Sequence, residues 1–232
     1  MSKTSLTLFT ILLVISQLSA DGRRYVWTYE YLTMPKGEAE IETYTDFQHV
    51  DTDSGRLSST TLQYEYEIGM NDRYDVGIYQ KFTQSPGSPL TYDGFKVRMR
   101  YRLGEKGKWP LDPLIYLEYK DTPAFDHSTL ETKIILARDM GSFNVALNPV
   151  LELELYGDET EIEFEYTAAF GYRLHPLLNL ALETKGSADA LYWGPTISHG
   201  KEDLWFGLGM LFPTSESSSP DRKLRLIIGV GL

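Results

Sequence analysis

The sequence contains no cysteine. Disulfides, thiol catalysis and cysteine-ligated metal centres are excluded, so a folded form must rest on its sheet or on a large core. Histidine is scarce as well, at four residues. Basic residues are outnumbered, 22 against 33 acidic, for a net charge of −11. That balance argues against nucleic acid as a partner, because phosphates require a basic surface. Long apolar runs are also missing. Beyond the first twenty residues no stretch approaches the eighteen consecutive apolar residues of a membrane-spanning helix, and no helical periodicity of useful length appears. No segment reads as an interdomain linker, which makes one domain the economical organisation.

Residues 1–20 read as a secretory signal peptide. Lys3 supplies the positive start, Leu6 to Ile15 the apolar core, and Ser19-Ala20 the small residues before cleavage. Removal of Lys3 would leave 21 basic against 33 acidic residues, a net charge of −12.

What the sequence does have is alternation. In Phe95-Lys96-Val97-Arg98-Met99-Arg100-Tyr101-Arg102-Leu103 every second residue is large and apolar, and each residue between is a cation. Successive side chains of a strand point to opposite faces, so this strand has one greasy face and one charged face. Twelve such stretches of about ten residues, separated by turn residues, predict an all-β fold: an antiparallel, up-and-down transmembrane β-barrel of about twelve strands. The apolar faces would meet lipid and the polar faces the lumen. Residues 48–58, 83–92 and 121–128 read as longer joints on one side and 70–73, 139–142 and 173–176 as shorter turns on the other, the asymmetry of a bacterial outer-membrane barrel. An even number of strands returns both termini to the periplasmic side. Residues 37–232 therefore form the barrel, and residues 21–36 read as a periplasmic extension or an inward plug.

Aromatic residues supply two girdles on the apolar faces, as interfaces with lipid favour. Phe47, Phe82, Phe95, Tyr119, Trp193 and Phe212 fall toward the outer rim, and Tyr74, Tyr101, Phe143, Phe170 and Tyr172 toward the inner. The final stretch from Leu224 to Leu232 is similar to the signal read by the barrel-assembly machinery, although it closes on Leu232 where an aromatic is usual. Outer-membrane lipid, that machinery and a small-molecule solute are the partners expected.

Several phrases resemble one group of outer-membrane β-barrel proteins, of the transporter or phenol-degradation-pathway type. They are Met34-Pro35-Lys36-Gly37-Glu38, Asp112-Pro113-Leu114-Ile115-Tyr116-Leu117-Glu118-Tyr119, Gly194-Pro195-Thr196-Ile197-Ser198 and Arg225-Leu226-Ile227-Ile228-Gly229. The resemblance implies a barrel that passes small, hydrophobic compounds and brings with it no catalytic residue and no cofactor.

The lumen face carries the candidate functional residues. Lys96, Arg98, Arg100 and Arg102 form a basic ladder. Acids line the other strands: Glu40 and Glu42; Glu65 and Glu67; Glu118; Glu152 and Glu154; Glu163 and Glu165. Like charges opposite one another in a sheet repel, so these rows require partners across the lumen or water. Two outcomes are open: a charged constriction that selects solutes, or a salt-bridge network that fills the barrel. The hairpin 152–165 holds seven acids without a Lys or Arg, a density that could hold Ca²⁺, and Asp51-x-Asp53-x-Gly55 opens like a calcium loop but lacks its closing glutamate. No metal site is assigned on these features. Asp126-His127-Ser128 places a base beside a hydroxyl, but neighbours on a strand face opposite ways and no catalytic residue is assigned. A channel or transporter is expected; a lipid-modifying outer-membrane enzyme and a closed structural or adhesive barrel are the alternatives.

Overall fold

A computed structural model of the chain describes residues 22–52, 55–157, 159–201, 203–215 and 218–232. The expected signal peptide, together with Asp53 and Asp158, lies outside the described residues. The first four strands are β1 (Ala39–Thr52), β2 (Gly55–Asn71), β3 (Tyr74–Gln84) and β4 (Thr91–Arg102). Next come β5 (Asp112–Asp121), β6 (Ser128–Met140), β7 (Phe143–Tyr156) and β8 (Glu159–His175). The barrel is completed by β9 (Leu178–Ser187), β10 (Leu191–Lys201), β11 (Leu204–Pro213) and β12 (Arg222–Gly231). Each strand pairs antiparallel with its sequence neighbours, and β1 pairs with β12 to close the ring of twelve. Closure leaves no sheet edge with unpaired backbone groups.

The faces divide as the alternation predicts. Ile41, Tyr66, Ile78, Val97, Leu117, Ile134, Leu147, Leu182, Leu208 and Val230 are exposed on the exterior. Their sequence neighbours Glu40, Glu42, Glu65, Glu67, Arg98, Glu118 and Glu183 are buried inside. A barrel with its charges inside and its greasy side chains outside is built for lipid rather than water. The girdle aromatics meet in pairs, Phe143 with Tyr172 at 4.9 Å between ring centroids and Phe95 with Tyr119 at 6.2 Å.

One local expectation is corrected. Within the expected joint 48–58, residues 48–52 and 55–58 continue β1 and β2, paired from Gln48 with Ser59 to Thr52 with Gly55. The alternation of side-chain polarity stops there because both faces of the extended hairpin are wet, while the backbone ladder continues.

The lumen is not empty. Residues 22–36 enter from the end that carries the termini, rise to about mid-barrel and return, forming no strand beyond a single bridge between Lys36 and Gly69. Tyr25, Val26, Thr28 and Met34 are fully buried. The wall makes room with small residues: Ala137, Ala146, Ala169 and Ala181 pack with Tyr25 and Tyr31, while Val26 and Trp27 join Tyr44, Tyr192, Trp205 and Ile227. Glycine at 171 and 207 has the same purpose. A Cβ there would come within 2.8 Å of the Tyr25 hydroxyl and 3.2 Å of a Val26 methyl.

Candidate functional site: the charged lumen and its inserted segment

All four members of the basic ladder face inward, yet they do not form one continuous wall. Arg98 and Arg100 are buried on β4. Arg98 reaches Glu65 on β2 through Nε at 2.8 Å and Asp75 on β3 through Nη1 at 2.7 Å, and it also pairs with Glu67. Arg100 forks onto Asp75, at 2.7 Å from Nη2, and pairs with Glu67. The planar guanidinium suits this geometry because its donors are fixed in a plane and match two carboxylates at once. Lys96 stands apart, 3.4 Å from Glu118 and over the Tyr79 ring. Arg102 lies at the end with the termini, where it donates to the Asp72 carbonyl and sits over Tyr31.

The register sets the like-charged rows of β1 and β2 side by side. Glu40 lies directly opposite Glu67, and Glu42 opposite Glu65, on neighbouring strands. The cations of Glu65 and Glu67 come from β4, two strands from β2, and that of Glu42 from the inserted segment, whose Arg23 stands 3.6 Å away. Glu40 accepts a hydrogen bond from the Trp205 indole. Glu42, Glu65 and Glu67 together offer oxygens close enough for one cation, and the guanidinium groups of Arg23, Arg98 and Arg100 occupy the surroundings of that cluster.

The remaining acids except Glu163 are pinned from several strands. Glu118 accepts from Tyr116 at 2.5 Å, and Lys120 reaches Glu131 at 2.7 Å and Glu152 at 3.3 Å. Glu165 pairs with Lys185 at 2.5 Å. Glu154 takes a hydrogen bond from Tyr156 and lies 3.5 Å from His127. Glu163 stands opposite Glu152 with no salt bridge to a described cation. The acidic hairpin is thus partly neutralised by lysines of adjoining strands. Asp51 is likewise taken, by Arg56 at 2.7 Å and Arg222 at 3.1 Å. His127 stacks on Tyr156, whereas the Ser128 hydroxyl donates to Asp121 at 2.7 Å. The two are not brought together.

The inserted segment is held mainly through its backbone. Glu183 accepts from the N–H groups of Val26, Trp27 and Thr28 at 2.6, 2.9 and 2.7 Å. Asn148 accepts from the Tyr29 N–H at 2.6 Å and donates to the Tyr29 carbonyl at 3.1 Å. Asp75 accepts from the Met34 N–H at 2.8 Å. Arg24 is fastened to Glu30 at 3.2 Å and to Asp139; burial disfavours its charge, and the two carboxylates outweigh that and raise its pKa. These anchors escape a reading of the sequence by strand period alone. A legible signal was present nonetheless: the inward positions of β6 to β11 carry Ala137, Ala146, Ala169, Gly171, Ala181, Gly207 and Gly209, which cannot fill a twelve-strand lumen by themselves.

Cavities approach the segment from both ends. One of about 520 Å³ lies at the end with the termini, bounded by Arg24, Glu30, Tyr31 and Leu32 of the segment. At the other end, cavities of about 190 and 240 Å³ share Trp27, Gln63, Lys185 and Arg225 in their linings.

The fold is that of outer-membrane β-barrels. An outer-membrane channel from Pseudomonas putida F1 superposes over 90% of this chain and 100% of its own, at a TM-score of 0.66 and 12% identity. The KdgM porin in complex with disordered oligogalacturonate matches over 83% of this chain and 97% of its own, at 0.59 and 10%. The NanC porin matches over 83% and 98%, at 0.59 and 8%. No protein-family model matches the sequence, and no curated protein resembles it at the level of sequence.

Proposed function

We propose that this protein is a bacterial outer-membrane channel for small solutes, closed in the described state by its own residues 22–36. The observation that carries the reading is that cavities from both ends of the barrel terminate on the same inserted segment. The likeness in fold to channels and porins supports it. The end with the termini then faces the periplasm, in keeping with the short periplasmic turns of such barrels. Charged side chains dominate the cavity linings, which favours polar or charged solutes over the hydrophobic compounds implied by the sequence resemblance.

The Arg98–Glu65–Glu67–Asp75 cluster serves in this reading as a rigid wall, since its members already satisfy one another. The movable part is the segment. Single-channel recording in planar bilayers tests this directly. The intact chain is expected to give rare openings, and a variant lacking residues 22–34 a steady, larger conductance. Absence of conductance from both forms would overturn the reading.

A further inference from the structure

The cavity of about 240 Å³ at the end opposite the termini has chemistry that the channel reading alone does not require. At about 30 Å³ per molecule it accommodates roughly eight waters, room for one small solute. Trp27 of the inserted segment forms its floor, and Lys81, Lys185, Lys223 and Arg225 stand on its wall. Three of these cations have a carboxylate: Lys81 with Asp93 at 2.7 Å, Lys185 with Glu165 at 2.5 Å, and Arg225 with Asp46 at 2.6 Å. Lys223 has none among the described residues. Its ammonium lies over the Tyr192 ring, 4.0 Å from the centroid. Among the described residues the cluster therefore holds one positive charge in excess, which one carboxylate on a ligand would balance.

A second observation is independent of that charge. Gln63 lines the same cavity, is only 8% exposed, and its Oε1 is buried without a hydrogen-bond partner. A buried amide oxygen left unpaired is costly, so rotation of the Gln63 amide toward the cavity, where Oε1 would meet a ligand hydroxyl, is favoured when such a ligand is present. Thr61 and Gln48 add polar groups nearby, and Trp27 supplies aromatic surface. A few placed polar groups on a partly aromatic wall are what a small-molecule site needs.

We propose that this vestibule binds a small hydroxylated monocarboxylate, a sugar acid, with its carboxylate on Lys223 and a hydroxyl on Gln63 Oε1. The proposal deepens the channel reading by naming a solute class. It rests on that reading for its purpose, while the binding itself requires no conduction.

The test is calorimetric titration of the detergent-solubilised full chain at low ionic strength with sodium glucuronate, glucose and sodium acetate. Glucuronate is expected to bind at least about tenfold more tightly than either, a gap of about 1.4 kcal/mol. Lys223→Gln should weaken glucuronate binding about tenfold by the same conversion. Lys223→Arg, which keeps the charge, should retain most of the affinity and stands in if the glutamine variant does not fold. Gln63→Leu should bring glucuronate toward the affinity of acetate. Lys108→Gln, at the opposite end of the barrel, should change nothing. Equal affinity for glucuronate and glucose, or unaltered glucuronate affinity in Lys223→Gln, would overturn the proposal. Saturable glucuronate binding by a protein that never conducts removes the channel reading and leaves the site; steady conductance with no glucuronate binding does the reverse.

Discussion

The Glu183 carboxylate holds Trp27 by its backbone, accepting the Trp27 N–H at 2.9 Å while also taking the amides on either side. One acidic side chain on β9 thereby fixes the tip of a segment 156 residues earlier in the chain. Hydrogen bonds to a charged group contribute about 1.5–3 kcal/mol each, so this contact governs how firmly the segment is seated.

Replacement of Glu183 by glutamine keeps the shape of the side chain but removes its charge and one acceptor. Hydrogen exchange of the 26–28 amides should then accelerate, and channel openings should become more frequent. Unchanged exchange at those three amides would show that the tip is held by its packing alone.

Gly209 offers a steric route to the same end. A Cβ at this position would collide with the Trp27 ring and with the Thr196 methyl. Gly209→Val is expected to expel Trp27 from its seat and raise basal conductance, with heat-modifiable migration in detergent gels preserved. A closed channel in a folded Gly209→Val protein would count against the inserted segment as the gate.

Arg98 is the keystone of the buried charge cluster. Arg98→Met leaves Glu65, Glu67 and Asp75 short of a cation, and removing one partner of a buried pair typically costs about 3–5 kcal/mol. Thermal unfolding in detergent should shift well below that of the native chain. Arg98→Lys should recover only part of the loss, because a single ammonium cannot reproduce the fork onto two strands.

His127 and Ser128 predict a negative result. Because His127 stacks on Tyr156 and Ser128 donates to Asp121, His127→Ala should leave both conductance and any lipid-hydrolysis background unchanged. Loss of a hydrolytic activity in that variant would restore the enzyme alternative.

Local pattern was enough for the barrel. The period of two in stretches such as 95–103 assigns every side chain to a face, and short turns between successive stretches force neighbours to pair antiparallel. Twelve strands, the lipid-facing girdles and the inward direction of Lys96, Arg98, Arg100 and Arg102 follow from that alone. What fills the lumen does not. Residues 22–36 have no period to read, and their partners Glu183, Asn148 and Asp75 lie on three strands far along the chain. The fate of the basic ladder was equally non-local. Arg98 and Arg100 either line an open path or neutralise Glu65, Glu67 and Asp75, and identical residues on identical faces permit both. Only the closed ring, which sets the width of the lumen and brings side chains of β2, β3 and β4 within hydrogen-bond reach, decides for neutralisation. The sequence by itself determined a barrel with a charged interior; the tertiary structure decided that two of its arginines belong to the wall and that residues 22–36 fill the lumen.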